Sequence, residues 1–183
     1  RDCDTQTGSS IGKSNGLGDL ELMSTLAPIE IGNRVWYDTD FDGIQDADEN
    51  GIASVEIELL NGAGAVIATA TTDAAGTYYF TSAAGTNTAN TIYNLSLLPN
   101  TNYTVRVKGT LDSPFSMTGN PGLLATPYFT FANISGNGQA DWSDNDGIPV
   151  GSTGGTYQAA ITTAGYGENN HSIDFGFTNF RVL

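Results

Sequence analysis

One cysteine, one histidine, two methionines and six Lys plus Arg are all that this 183-residue sequence offers of several chemically demanding residue types. A lone cysteine, Cys3, closes no internal disulfide, so its thiol is a free group near the amino end, an interchain disulfide partner or a lipid attachment point. With His171 as the single imidazole and no nucleophile motif around any serine, a triad of nucleophile, histidine and acid is disfavoured, and His171 reads as a structural polar residue. Six basic residues against 20 acidic ones give a net charge of −14. That removes the basic footprint that nucleic acid binding requires. No apolar run reaches the roughly 18 residues needed to cross a bilayer as a helix. The sequence starts at Arg1 with neither Met nor an apolar leader, as expected of a processed chain.

What is present limits the remaining choices. Hydrophobic residues make up 39% and aromatics 10%, enough to order a core, so disorder is disfavoured and the acidic groups call for cations. The length suits one compact domain, or one domain plus an arm. Abundant Gly, Thr, Asn, Ala and Ser fit many short strands joined by turns, with very little helix.

Residues 1–18 are polar and rich in Gly and Ser, without apolar periodicity, and read as an extended arm. Residues 19–26 then place Leu20, Leu22, Ser24 and Leu26 in one phase, a strand pattern ended by Pro28. From Ile31 the strand signals become dense: 31–37, 55–60, 65–72, 78–80, 92–97, 103–107, 128–131, 157–162 and 173–177. Asn61-Gly62 and Asp73 to Gly76 supply turns that tolerate positive φ. The expected fold class is all-β, a β-sandwich over residues 31–183 with a long insert at 109–154, preceded by the arm at 1–30. In the first strand Val35 and Tyr37 are expected inward, with Trp36 on the opposite face under the insert, the arm or a neighbour.

The strongest chemical signal follows that strand. Asp38, Asp40, Asp42, Gly43, Ile44, Asp46 and Glu49 occupy positions 1, 3, 5, 6, 7, 9 and 12 of a twelve-residue calcium loop. Alternating carboxylates converge when such a loop curls, and Gly43 permits the bend. Ile44 offers a carbonyl, Asp46 acts through a water, and Glu49 is long enough to chelate with both oxygens. Oxygen donors without His or Cys favour Ca2+ over zinc or copper. Because the loop lies between strands, it is expected to stiffen the domain rather than to open a helix pair. A second cluster, Asp141, Asp144 and Asp146 around Trp142, does not complete this register and reads either as a further calcium site or as a polar turn closed by Asx hydrogen bonds. Paired-carboxylate hydrolysis fits poorly, since groups this dense repel one another unless a cation sits among them. Four Asn-X-Ser/Thr matches are treated as chance in an Asn- and Thr-rich chain.

The stretch Ile31 to Gly51, the turn Thr72 to Phe80, the segment Leu98 to Val105 and the ending His171 to Phe177 resemble the B-repeat domains of serine-aspartate-repeat bacterial surface proteins, within the wider collagen-adhesin B-type group. The resemblance covers residues 30 to 178. It implies a prealbumin-like or inverse-immunoglobulin sandwich, secretion, calcium ligands at Asp38, Asp40, Asp42, Ile44, Asp46 and Glu49, and service as a stalk or spacer in adhesins. The long insert departs from the shorter family pattern. Some relatives in the wider group carry a Lys–Asn isopeptide bond, which is not expected here because the first strand offers Arg34 and no Lys.

The function expected is that of a secreted, non-enzymatic structural module at a cell surface, self-associating into a tandem array or filament. The alternative is a binding module that holds a glycan or host protein through Tyr128, Trp142 and Tyr157. Residues 19–27 either fold back on their own domain or add a strand to a neighbouring subunit.

Overall fold

The computed structural model describes residues 26–109, 122, 127–133, 140–151 and 155–180. Cys3 and residues 1–25 of the expected arm, with most of the strand pattern at 19–26, lie outside the described residues.

Two sheets pack face to face. The first runs in the order β5 (Thr91–Ile92), β4 (Thr77–Thr81), β1 (Glu30–Tyr37), β11 (Phe175–Thr178), β7 (Tyr128–Phe129), with β10 (Asn169–Asn170) also paired to β1, and the second in the order β3 (Val66–Thr71), β2 (Glu56–Asn61), β6 (Asn102–Val107), β9 (Thr156–Thr162), β8 (Ile148–Val150). β1 (Glu30–Tyr37) is rich in branched and aromatic residues that favour a pleated strand. It pairs antiparallel with β4 (Thr77–Thr81), with Ile31 opposite Phe80, and parallel with β11 (Phe175–Thr178), with Val35 opposite Phe175. In the other sheet β6 (Asn102–Val107) lies between β2 (Glu56–Asn61) and β9 (Thr156–Thr162), with β3 (Val66–Thr71) outside β2. Period-two alternation turns Ile57 and Leu59 of β2, Val105 and Val107 of β6, and Phe175 and Phe177 of β11 into one core. Each such side chain contributes roughly 1.5–3 kcal/mol by leaving water.

The register of β1 matches its alternation. Val35 is fully buried in the core, Tyr37 packs partly against it, and Trp36 on the opposite face is also fully buried. Thr130 and Asn145, from the described part of the long stretch 109–154, lie over this face. Asn145 Oδ1 accepts from Gly176 N (3.2 Å), and its Nδ2 donates to Thr130 O (3.2 Å). A Cβ at Gly176 would come within 2.6 Å of both the Trp36 ring and Thr130. This stretch also supplies β7 (Tyr128–Phe129) and β8 (Ile148–Val150), the outermost strand of each sheet, and a short helix α1 (Ala140–Ser143).

Several elements differ from the sequence reading. The strand expected at 92–97 is reduced to β5 (Thr91–Ile92), because Asn94 adopts φ 60°, which breaks the extended run. At the β2–β3 hairpin the positive φ falls on Gly64 rather than Gly62, with Asn61 Oδ1 accepting from Ala63 N and Ala65 N. β8 and β10 (Asn169–Asn170) were not anticipated.

The first and last described strands, β1 and β11, run parallel. The described chain begins at one pole, where Ala27 O accepts from Gly167 N (3.1 Å). It leaves β11 at the other pole, the one that carries the acidic loop after Tyr37.

Candidate metal centre

The loop Asp38 to Glu49 hangs between β1 and β2 at the second pole. Asp38, the first residue after β1, is fully buried. Its Oδ1 accepts from Phe41 N, and its Oδ2 accepts from Gly43 N (2.9 Å) and from the Thr130 hydroxyl. The curl that allows this uses left-handed backbone at Phe41 (φ 67°) and Gly43 (φ 82°). Asp42 Oδ1 caps Ile44 N at 2.8 Å. Carboxylate oxygens of Asp38, Asp40 and Asp42 consequently lie within 4.8 Å of one another.

Glu49 closes the loop from its far end. Oε1 accepts from Thr39 N (2.6 Å) and Oε2 from Asp46 N (3.1 Å), while its own N–H donates to Asp46 O (3.2 Å). Burial lifts the Glu49 carboxyl above its usual range; those two N–H bonds oppose the rise, and the charges of Asp38 and Asp40 add to it. Arg34 lies nearby but donates to the carbonyls of Ala75 and Glu49. The ion pairs seen among the described residues are Arg106–Glu58, Lys108–Glu56 and His171–Glu30, all away from this loop. Three converging carboxylates and a buried fourth, all oxygen donors, fit a hard divalent cation of the calcium type.

The SdrD B-like domain model matches residues 29–122. The chain belongs to the SdrD B-like domain family. The matched stretch includes the whole acidic loop and stops before the His171 to Phe177 ending. Curated relatives of this SdrD B-like domain include the serine-aspartate repeat-containing protein E of Staphylococcus aureus strain Mu50, 41% identical over 107 residues, or 56% of this chain. The bone sialoprotein-binding protein of S. aureus strain MRSA252 is 40% identical over the same length. The chain spans 9% of the length of each of these relatives.

The second acidic cluster lies against the loop of this SdrD B-like domain. Gln45 N donates to Ser143 O at 2.6 Å, and Ile44 sits opposite Asp144 in an antiparallel bridge. Asp144 is buried, and Asp146 Oδ2 accepts from Asp174 N at 2.7 Å. Among the described residues the converging trio does not include Asp144 or Asp146. Asp141 falls in α1, and its side chain lies outside the described residues.

Two neighbours of the site have no local signal in the sequence. Thr130 reaches Asp38 from 92 residues away. Asp174 is fully buried, with Oδ1 accepting from Arg34 N (2.8 Å) and Oδ2 without a partner among the described residues. Burial, and then the Asp146 charge, raise its carboxyl well above the usual range. Only its position in β11's approach, alternating with Ile173 and Phe175 on the face that the insert covers, hints at this.

The aromatic row expected on the insert is not formed. Trp142 is 75% exposed and Tyr128 41% exposed, but Tyr157 is buried and stacks on Phe129. Its inward turn follows from its place in β9 and from Gly147, where a Cβ would come within 2.4 Å of the Tyr157 ring. His171 pairs with Glu30 at 2.7 Å beside Tyr79, a structural contact.

Proposed function

We propose that this SdrD B-like domain is a non-catalytic, extracellular structural module of a microbial cell surface, stiffened by Ca2+ and arrayed end to end in a stalk or filament. The observation that carries this reading is the convergence of Asp38, Asp40 and Asp42 at one pole, with no cationic side chain paired to them among the described residues. Those three, the Ile44 carbonyl, Glu49 and, through a water, Asp46 would hold one ion, with Asp141, Asp144 and Asp146 as candidates for another. The ion supplies positive charge; the loop supplies the ties. Asp38 joins β1 to β7 through Thr130, and the Gln45–Ser143 bond joins the loop to the insert, so fixing the loop stiffens the first sheet and the insert at that pole.

The parallel first and last strands support an end-to-end role, because the chain passes through the sandwich from pole to pole. A glycan or host-protein site loses Tyr157, one of the three aromatics on which it relied.

Binding that is confined to the folded state stabilises it by about 2.7 kcal/mol when free calcium is a hundredfold above Kd. Calcium is therefore expected to raise the thermal midpoint, and Asp40→Ala and Glu49→Gln each to remove most of that gain. A parent chain whose melting is unmoved by chelator would refute the calcium clamp.

A further inference from the structure

Among the described residues the sandwich is closed along one side and open along the other. On the closed side, Thr71 N at the end of β3 donates to Ala89 O in the connection that leads into β5. On the open side the outermost strands β7 and β8 flank a cleft of about 490 Å3 lined by Tyr128, Phe129, Thr130, Phe131, Pro149 and Tyr157. Tyr128, Phe131, Ile148 and Val150 are each more than two-fifths exposed along this side. An apolar, partly open seam between two edge strands has the shape that accepts a further strand.

We propose that this cleft receives residues 19–25 of a second copy of the chain, which lie along the seam as an added strand with Leu20 and Leu22 seated in it. The proposal deepens the end-to-end reading above and rests on it. Two observations select this occupant. The first is pattern: Leu20 and Leu22 share one phase, so a strand carrying them presents both to one face. The second is reach, and it decides between copies.

Leu26 lies at the pole where β1 starts, whereas the cleft is level with Val35 to Tyr37, because Phe129 pairs with Phe177 and Phe177 with Tyr37. Nine residues of mostly extended chain put about 25–30 Å between Leu26 and that level. Leu22 and Leu20 stand only four and six residues before Leu26, which allows at most about 14 Å and 22 Å. The leucines of one copy thus fall short of its own cleft. In a pole-to-pole stack the opposite holds: the start of one copy meets the cleft-bearing pole of the next. Such a contact is head to tail and does not close on itself, so it propagates.

The test pairs Leu22→Cys with Tyr128→Cys in a Cys3→Ser background, mixing 14N- and 15N-labelled full chains in calcium before mild oxidation. The expected product is a ladder of covalent oligomers whose 22-to-128 linked peptide joins light to heavy copies. A link found only within single copies overturns the proposal. Oligomers that form without any 22-to-128 link also overturn it, while leaving end-to-end assembly standing. A parent chain that stays monomeric at every concentration in calcium removes both. In a separate variant, Leu20→Asp with Leu22→Asp, assembly is expected to weaken at least about 100-fold, as two lost buried leucines imply, with the calcium-dependent melting of the monomer unchanged. Assembly of that variant at parental strength would also defeat the proposal.

Discussion

Tyr157 faces inward from β9, and its burial pushes the phenol up to about 12 from an ordinary 10.0. Water is excluded on one side by Phe129 and on another by the backbone at Gly147, so the charged phenolate has little to solvate it; the hydrogen bond from Asn145 offsets only part of this. An acid whose folded pKa is raised keeps its proton in the fold. The associated stability is fully present below pH 10 and is lost as pH climbs from 10 towards 12. Two units at 1.36 kcal/mol each make this an effect of about 3 kcal/mol. Tyr157→Phe has nothing to ionise there, so its thermal midpoint is expected to fall less steeply than the parent's across that window. Tyr78, also buried and also raised, still titrates in the variant and still limits it at higher pH. Superimposable alkaline profiles for parent and variant would contradict this assignment.

Between elements, the decisive contacts at the loop pole are few and come from far along the chain. The acidic loop and the stretch 143–146 share the Gln45–Ser143 bond and the bridge between Ile44 and Asp144. Chelating calcium is therefore expected to raise amide exchange in residues 39–49 and 143–146 together, while β1 and β6, each flanked by strands on both sides, stay protected. Loosening confined to 39–49 would show that the two stretches are not coupled. The same contacts explain what could be read in advance. β6 and β9 alternate over six or more residues and 55–59 over five, and the loop's acids sit at fixed local spacings, so both strands and loop were legible. β8 contains Pro149 in three residues and β10 is two asparagines, too short for any period. The Thr130 to Asp38 bond and the cover of Asn145 over the Trp36 face depend on how the insert folds back, which local pattern does not encode. Tyr157 was misjudged for that reason: its exposure depends on Gly147, ten positions earlier and just before the neighbouring strand β8.

For the whole molecule, charge opposes the end-to-end assembly proposed above. Each copy carries −14, and bringing the acidic pole of one against another concentrates that repulsion. Two effects of calcium can then be separated. One is general screening, which any salt supplies: raising ionic strength from 0.01 M to 0.15 M shortens the Debye length from about 30 Å to about 8 Å. The other is occupation of the carboxylate loop, which removes charge locally and stiffens the pole beside the cleft. If both operate, sodium chloride alone should speed end-to-end association, and calcium at matched ionic strength should speed it further. Asp40→Ala and Glu49→Gln should keep the salt response and lose the added calcium response, because they weaken the site without undoing the overall charge. Light scattering during assembly reads both responses in one series. Variants that respond to calcium as strongly as the parent would place its effect on the general acidic surface, and the loop would then have no part in bringing copies together.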